Sequence, residues 1–303
     1  MKWILGSGLA GLLARAILGS EYKLIPMAKS RLYSFNPALA DNYLSQDQRY
    51  EDFVTNLGFD VSKVVFYRKG FSLGGDIVKE APETVKEAWL NRLFDYEPPG
   101  HLNLVVNKKM NTAVYAGVRL NEMYAKLQER FKSEINEQLQ LGNVLSINDG
   151  HIQFSTGLRD YSKIISTIPL PALDKLCGVN IPRKAHDVSF LHVSTSDLNF
   201  EGLNQLLVVD EGIPFYKCTQ LGPDRYLFYF KGDLENNGLT LMPFLRSYDV
   251  IDGTLINNYI PADSLDHLKY YESKQIECLG TFGRWDFAMD GPSTLLHIMR
   301  LKA

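Results

Sequence analysis

Three glycines near the amino terminus have the spacing of a phosphate-binding turn. Gly6, Gly8 and Gly11 follow a short apolar run and precede a helix-forming segment. In this order the first glycine permits a sharp turn, the second lets backbone approach a pyrophosphate, and the third lets the helix pack closely. The alternative is a glycine-rich turn in an unrelated α/β protein. The pattern predicts that a dinucleotide is bound by Gly6, Ser7, Gly8, Leu9, Ala10 and Gly11.

Periodicity along the rest of the chain indicates an α/β fold. Helical spacing predicts helices over 9–18, 82–94, 120–135, 171–176 and 292–301. Apolar runs predict strands over 2–5, 22–28, 61–66, 161–169 and 276–279, and an Asn-Asp-Gly turn predicts a hairpin over 142–154. Alternation between residues 188 and 230 predicts a largely antiparallel sheet with strands over 190–194, 206–209, 215–219 and 226–230.

Three separated segments, taken in order, resemble one superfamily of flavoproteins. They are the glycine turn at 6–11, the middle block with Ala116-Gly117, Val144 and Ile164 to Pro171, and the glycine/aromatic run Leu279 to Phe287. The superfamily contains the FAD-dependent amine oxidases, protoporphyrinogen oxidase and UDP-galactopyranose mutase. Because the three segments lie between residues 6 and 287, the resemblance extends over nearly the whole chain.

The resemblance implies a discontinuous Rossmann-like FAD-binding domain with an inserted, mainly antiparallel β-sheet substrate domain. The implied FAD-binding domain comprises residues 1–50, 100–185 and 272–303, and the substrate domain 51–99 and 186–271. The implied activity is oxidation of a C–N or C–C bond by hydride transfer to flavin, with dioxygen reoxidising the cofactor. One alternative is a non-redox flavoenzyme like the mutase, whose arginines clamp a diphosphate.

The same resemblance implies roles for individual residues. Val144 would present its backbone to the adenine, and Thr167 and Pro169 would lie beneath the dinucleotide, although both Val144 and Pro169 also suit simple core packing. Gly280 and Gly283 would line the flavin. In the same run Arg284 would pair with a phosphate or an anionic substrate, and Trp285 would stack on the flavin ring. The alternatives are that Arg284 is exposed to solvent and that Trp285 anchors one domain to the other.

A wall of aromatic and basic residues is predicted on the inserted sheet, where it would suit a flat or anionic substrate. Ordinary cross-strand pairs are the alternative for each member. The predicted catalytic positions in this wall are Tyr216 and Arg225, and its other members are Lys217, Tyr226 and Tyr229.

The sequence departs from the dinucleotide-binding pattern after its second strand. An acidic residue commonly binds the ribose there, but this strand ends Leu24-Ile25-Pro26-Met27-Ala28. The ribose would then be held by Lys29 or Ser30, be bound weakly, or belong to a ligand other than FAD. A second departure is Arg15, where the family often has a small residue. These departures motivate another alternative, a degenerate nucleotide-binding module without catalysis.

The composition limits which classes of ligand and partner the sequence supports. Lys and Arg total 32 against 35 Asp and Glu, so the net charge of −3 gives no support for nucleic-acid binding. The three cysteines form no C-x-x-C pair, and the six histidines show no metal-ligand spacing, so no metal is predicted. No apolar run reaches the roughly 20 residues of a membrane span. The expectation is a cytoplasmic flavoprotein with a small-molecule or nucleotide-linked substrate.

Overall fold

The computed structural model describes residues 1–27, 43–80, 82–94, 111–234, 244–261, 268–284 and 290–303, with Leu39 and Leu241. Its strands are β1 (Lys2–Leu5), β2 (Tyr22–Ile25), β3 (Tyr43–Ser45), β4 (Val64–Leu73), β5 (Asp76–Val78), β6 (Asn111–Arg119), β7 (Val144–Asn148), β8 (His151–Phe154), β9 (Gly157–Asp160), β10 (Lys163–Ser166), β11 (Ala185–Ser194), β12 (Gln205–Val208), β13 (Phe215–Gly222), β14 (Arg225–Lys231), β15 (Asp249–Pro261) and β16 (Ile276–Cys278). Its helices are α1 (Leu9–Leu18), α2 (Glu51–Asn56), α3 (Glu83–Leu93), α4 (Leu120–Gln138), α5 (Leu170–Leu176), α6 (Leu268–Ser273), α7 (Gly280–Arg284) and α8 (Gly291–Lys302).

A parallel sheet in the order β16, β10, β1, β2 forms the centre of one half of the molecule. Its strands are almost continuously apolar, as in Trp3, Ile4 and Leu5, because both faces of the sheet are buried. The chain leaves β1 for β2 on one side, whereas β10 pairs with β1 on the other. The carboxyl edge between β1 and β10 is therefore a topological switch point, where open α/β sheets bind ligands.

Helices cover one face of the parallel sheet, and a small antiparallel sheet covers the other. Helices α1, α4 and α8 pack on Ile4 and Ile165. Helix α4 buries Met123, Leu127 and Phe131 at four-residue spacing. The opposite face carries the β7-β8-β9 sheet with helices α5 and α6.

A larger sheet has the order β15-β11-β14-β13-β12-β4-β6-β3, with β5 paired to β4. Its pairs are antiparallel except β12 with β4. Helix α3 packs on one face through Trp89 and Leu93, which contact the core around Phe71 and Tyr229. The sheet is thus mainly antiparallel, as the sequence predicts.

The described elements confirm the α/β fold class and most predicted segments. Helix α1 has the predicted bounds, and the hairpin at 142–154 is present as β7 and β8. The prediction for 61–66 was wrong in extent, because that strand begins at Val64 and continues to Leu73. Strands β3 and β6 fall inside segments predicted for the FAD-binding domain yet belong to the larger sheet. The domain boundaries stay a prediction.

Arg15, which departs from the family pattern, forms an ion pair between two helices. Its Nε donates to both carboxylate oxygens of Glu134 on α4, at 3.0 Å each. Glu134 also accepts a hydrogen bond from the backbone N–H of Leu24, at 3.1 Å. The carboxylate thereby fixes α1, α4 and the outer side of β2 to one another.

A buried ion pair joins the segments on the other face of the sheet. Arg183 donates to both oxygens of Asp174 at 2.8 and 2.9 Å, and each side chain is only 5% exposed. The hydroxyl of Tyr271 on α6 donates to the same carboxylate. Burial, followed by this carboxylate, raises the pKa of Tyr271 well above its usual range.

Replacing Arg183 by Met is expected to lower the free energy of unfolding by about 3–5 kcal/mol, because Asp174 would remain buried without its cation. Urea unfolding measures the change. The matched control is Lys132→Met, which removes a pair with Glu129 whose side chains are 53% and 75% exposed. That substitution is expected to change stability by less than about 1 kcal/mol. Equal effects of the two substitutions would contradict the prediction.

Candidate functional site

The carboxyl ends of the four parallel strands meet at one edge of the sheet. Leu5 at the end of β1 lies in register with Ile25 of β2 and Ser166 of β10. Ser166 in turn lies in register with Cys278 of β16. The segments that follow these strands therefore converge, which brings the glycine turn, Thr167 and the start of α7 together.

The turn after β1 is held by hydrogen bonds to both neighbouring strands. The N–H of Gly6 donates to the carbonyl of Ile25 at 2.8 Å. The backbone N–H and hydroxyl of Thr167 donate to the carbonyl of Leu5, at 2.8 and 3.0 Å. Gly6 has φ +108°, and a Cβ there would lie 2.5 Å from Thr167 Oγ1. Only glycine fits this conformation and this contact.

Gly11 brings helix α1 against the turn. A Cβ at Gly11 would lie 2.0 Å from the carbonyl oxygen of Gly6, which is a backbone atom that no rotamer change can move. The absence of a side chain at Gly11 therefore lets α1 pack directly against the turn.

Gly8 differs from the other two glycines because its surroundings are open. It is exposed, and a Cβ added to it would have no atom of the described residues within 4 Å, apart from its chain neighbours and its own helix. It is the N-cap residue of α1, no side chain caps the helix there, and the first turn has no acidic residue. The backbone N–H groups of this helix end, together with the helix dipole, suit an anion.

The amino terminus of helix α8 differs from that of α1 because a side chain caps it. Its N-cap is Asp290, whose carboxylate accepts a hydrogen bond from the N–H of Ser293 at 2.9 Å. The amino terminus of α8 therefore already has an anionic partner from the chain, whereas α1 has none among the described residues.

Helix α7 lies against the glycine turn and the end of β10. A Cβ at Gly280 would lie 3.1 Å from the Cβ of Ala10, and one at Gly283 would lie 2.8 Å from the carbonyl oxygen of Ser166. Two predicted cofactor-binding glycines thus lie where α7 packs against the first turn of α1 and the end of β10.

Arg284, at the end of α7, belongs to a small charged cluster that the sequence analysis did not identify. Its Nη1 is 4.0 Å from Oε1 of Glu277 on β16, and Nε2 of His297 on α8 is 3.0 Å from the same oxygen. The three side chains are only 16–23% exposed. The His297 hydrogen bond is the largest cause that lowers the pKa of Glu277, and the charges of Lys163 and Arg284 lower it further against an opposing effect of burial.

The remaining predicted cofactor contacts lie around this edge or outside the described residues. Thr167 is half-buried, Pro169 is exposed at the N-cap of α5, and Val144 is half-buried at the start of β7. Lys29, Ser30 and Trp285 lie outside the described residues, so their roles stay predictions.

The predicted substrate wall lies largely in the core of the larger sheet. Tyr216 is 5% exposed, and its ring contacts Trp89 of α3 and Tyr229. Tyr226 and Tyr229 are buried, and the Nζ of Lys217 lies 4.1 Å from the Tyr229 ring centroid. Arg225 is exposed at the start of β14. The catalytic roles of Tyr216 and Arg225 stay predictions.

Comparison with solved structures identifies the fold. The chain is similar to reduced UDP-galactopyranose mutase, with TM-score 0.65, 12% identity, and coverage of 99% of this chain and 92% of that one. It is also similar to a protein assigned as a protoporphyrinogen oxidase from Exiguobacterium sp. 255-15 (TM-score 0.62, 12% identity, coverage 99% and 97%). A triple mutant of putrescine oxidase with redesigned cofactor binding gives TM-score 0.56, 11% identity, and coverage of 99% and 97%.

These similarities confirm the resemblance stated from the sequence, at the level of the fold. No protein-family model matches the chain, and no curated protein sequence matches it either. None of the described helices is both long and apolar enough to cross a membrane. In the described ranges, no three His, Cys, Asp or Glu side chains are grouped to hold a metal ion.

Replacing Gly11 by Ala is expected to lower the free energy of unfolding by about 1–3 kcal/mol, since α1 must move away from the Gly6 carbonyl. Gly8→Ala is expected to cost less than about 1 kcal/mol, because its φ of −69° is open to alanine and its surroundings are empty. Urea unfolding of both variants measures the two changes in the free energy of unfolding. Equal stability of the two variants would contradict the packing role of Gly11.

Glu277 is expected to stabilise the fold in a pH-dependent manner. Its folded pKa lies below its usual value of 4.5, so its contribution is present above about pH 4.5 and is lost as pH falls through the folded pKa. Glu277→Gln should therefore lower the free energy of unfolding at pH 7, and the difference from wild type should shrink toward pH 3. Glu129→Gln, on the exposed side of α4, is the control for general charge effects. A pH-independent difference would refute the assignment.

Proposed function

We propose that this chain binds FAD at the switch point between β1 and β10 and is an amine-oxidase-like oxidoreductase. The observation that carries the proposal is the open amino terminus of α1. Gly8 is exposed, no side chain among the described residues caps the helix, and no described atom beyond its chain neighbours and its own helix lies within 4 Å of its Cβ position. A helix end of this kind, at the carboxyl edge of a parallel sheet, binds the pyrophosphate of a dinucleotide.

The residues around this helix end fit a pyrophosphate. The tight contacts of Gly6 with Thr167, and of Gly11 with Gly6, draw the turn close to the strands. Backbone N–H groups from Gly8 to Ala10 would then donate to phosphate oxygens. Ser7 is 8% exposed, so its side chain contributes to the floor of the turn. Lys29 or Ser30 would hold the ribose.

The flavin end would lie along α7. Gly280 and Gly283 keep that helix close to Ala10 and Ser166, so a flat ring could approach backbone there. Arg284 would meet an anionic group of the cofactor or substrate, and Trp285 would wall the pocket.

Bound FAD would supply the redox chemistry by accepting a hydride from a C–N or C–C bond of the substrate. The chain's own task is to orient the substrate and exclude water. Tyr216 and Arg225 are proposed to contribute to the substrate side, and the substrate is a small or nucleotide-linked molecule. Because Tyr216 packs under α3, its contribution would come from shaping the sheet that forms the wall.

Two other functions compete with this proposal. A mutase-like reaction requires arginines that clamp a diphosphate, and its candidates are the exposed Arg225 and the Glu277-paired Arg284. A degenerate module without cofactor is motivated by the second strand, which lacks an acidic end. The open helix end at Gly8 favours a bound dinucleotide over that module.

Incubation of the purified chain with FAD, followed by gel filtration and an absorption spectrum, tests the proposal. We expect flavin absorption to co-elute with the chain. Gly8→Ala should weaken FAD binding by about tenfold or more, because a Cβ would stand where backbone meets phosphate. Gly212→Ala is the matched control, since Gly212 also has open surroundings but lies in the larger sheet's loop. A colourless chain, or equal binding by both variants, would refute FAD binding at this turn.

Anaerobic mixing of the loaded chain with amines and other candidate substrates separates the two flavin chemistries. Bleaching of the flavin by a substrate supports the oxidoreductase. Turnover only after reduction by dithionite would favour the mutase-like alternative.

A further inference from the structure

The charged cluster of Glu277, His297 and Arg284 joins three elements behind the proposed flavin end. Glu277 lies on β16, one residue before the strand ends, and is in register with Ile165 in the middle of the sheet. His297 Nε2 lies 3.0 Å from Glu277 Oε1, and Arg284 Nη1 lies 4.0 Å from that same oxygen. One carboxylate on β16 thus contacts a side chain from each of the helices α7 and α8.

The cluster reaches the candidate site through α7. Gly283, which precedes Arg284, has its Cβ position 2.8 Å from the carbonyl oxygen of Ser166 and 3.2 Å from Thr167 Cα. The backbone that carries Arg284 is therefore fixed against the end of β10, beside the residue that holds the glycine turn.

The charges favour a fixed guanidinium. Arginine stays protonated at every relevant pH, and Glu277 is ionised near neutral pH because its pKa is lowered by His297, Lys163 and Arg284. A flexible arginine loses side-chain entropy when it binds an anion, and a fixed counter-ion reduces that loss beforehand.

We propose that Glu277 is a positioning residue for Arg284: its carboxylate holds the guanidinium at the carboxyl edge of the sheet, ready for an anionic group of the bound dinucleotide. This inference rests on the proposed function, because it concerns the same site. His297 has the complementary role of holding the carboxylate itself, through its hydrogen bond to Oε1.

A double-mutant cycle on FAD affinity tests the proposal. The dissociation constant of FAD is measured by quenching of flavin fluorescence for wild type, Glu277→Gln, Arg284→Gln and the double variant, each as the full chain freed of flavin. We expect each single variant to weaken binding by about three- to tenfold. The double variant should bind no more weakly than Arg284→Gln, because Glu277 acts only through that arginine.

A structural role for Glu277 would give a different result. The two affinity losses would then multiply in the double variant, whereas the loss of stability already expected for Glu277→Gln accompanies either role. Glu277→Asp is the conservative variant: it keeps the charge, and we expect its FAD affinity to lie between those of wild type and Glu277→Gln. If Glu277→Gln does not fold, Glu277→Asp alone and with Arg284→Gln replaces it in the cycle.

The outcomes separate this inference from the proposed function. Wild type that binds no FAD overturns the proposed function, and this inference with it. Wild type that binds FAD, with unchanged affinity in Glu277→Gln or multiplicative losses in the double variant, overturns the positioning role alone. Loss of affinity in both single variants without further loss in the double variant supports it.

Discussion

The geometry of the candidate site depends on the contact between Gly11 and the carbonyl oxygen of Gly6. A Cβ at Gly11 would lie 2.0 Å from that oxygen, so any other residue would push α1 away from the turn. Because the helix lies this close, its uncapped amino terminus opens at the end of β1 beside Thr167. Helix α7 then follows the same principle, with Gly283 against the backbone of Ser166 and Gly280 against Ala10. The site is thus built by backbone segments in contact, and side chains are added at its margins.

Much of this arrangement could be predicted from the sequence because its signals are local. The apolar run at β1, the glycine spacing and the helix-forming segment to Leu18 lie within one short stretch, and the structure has the helix with the predicted bounds. The Asn-Asp-Gly turn between β7 and β8 is likewise a local signal. The positions of Gly6 and Gly11 in the site follow from the same stretch.

The missed features depend on contacts between distant residues or on irregular strands. Strand β15 contains Asp252-Gly253, which resembles a hairpin turn, but both residues pair with β11, and the register shifts between Asp252 and Val250. The Glu277 cluster joins residues from β16, α7 and α8, and no spacing in the sequence indicates that they meet. Arg15 looked like a departure from the family pattern, whereas its partner Glu134 is 119 residues away.

The charges of the described residues around the carboxyl edge of the parallel sheet are consistent with an anionic ligand. The first turn of α1 has no carboxylate that would repel a phosphate. Glu277, the carboxylate beside α7, is paired with Arg284 and His297 and lies near the charge of Lys163. Glu134 is paired with Arg15 on the helical face of the sheet. These two described carboxylates are therefore paired with cations of the chain, which favours the anionic ligand that we propose at the amino terminus of α1.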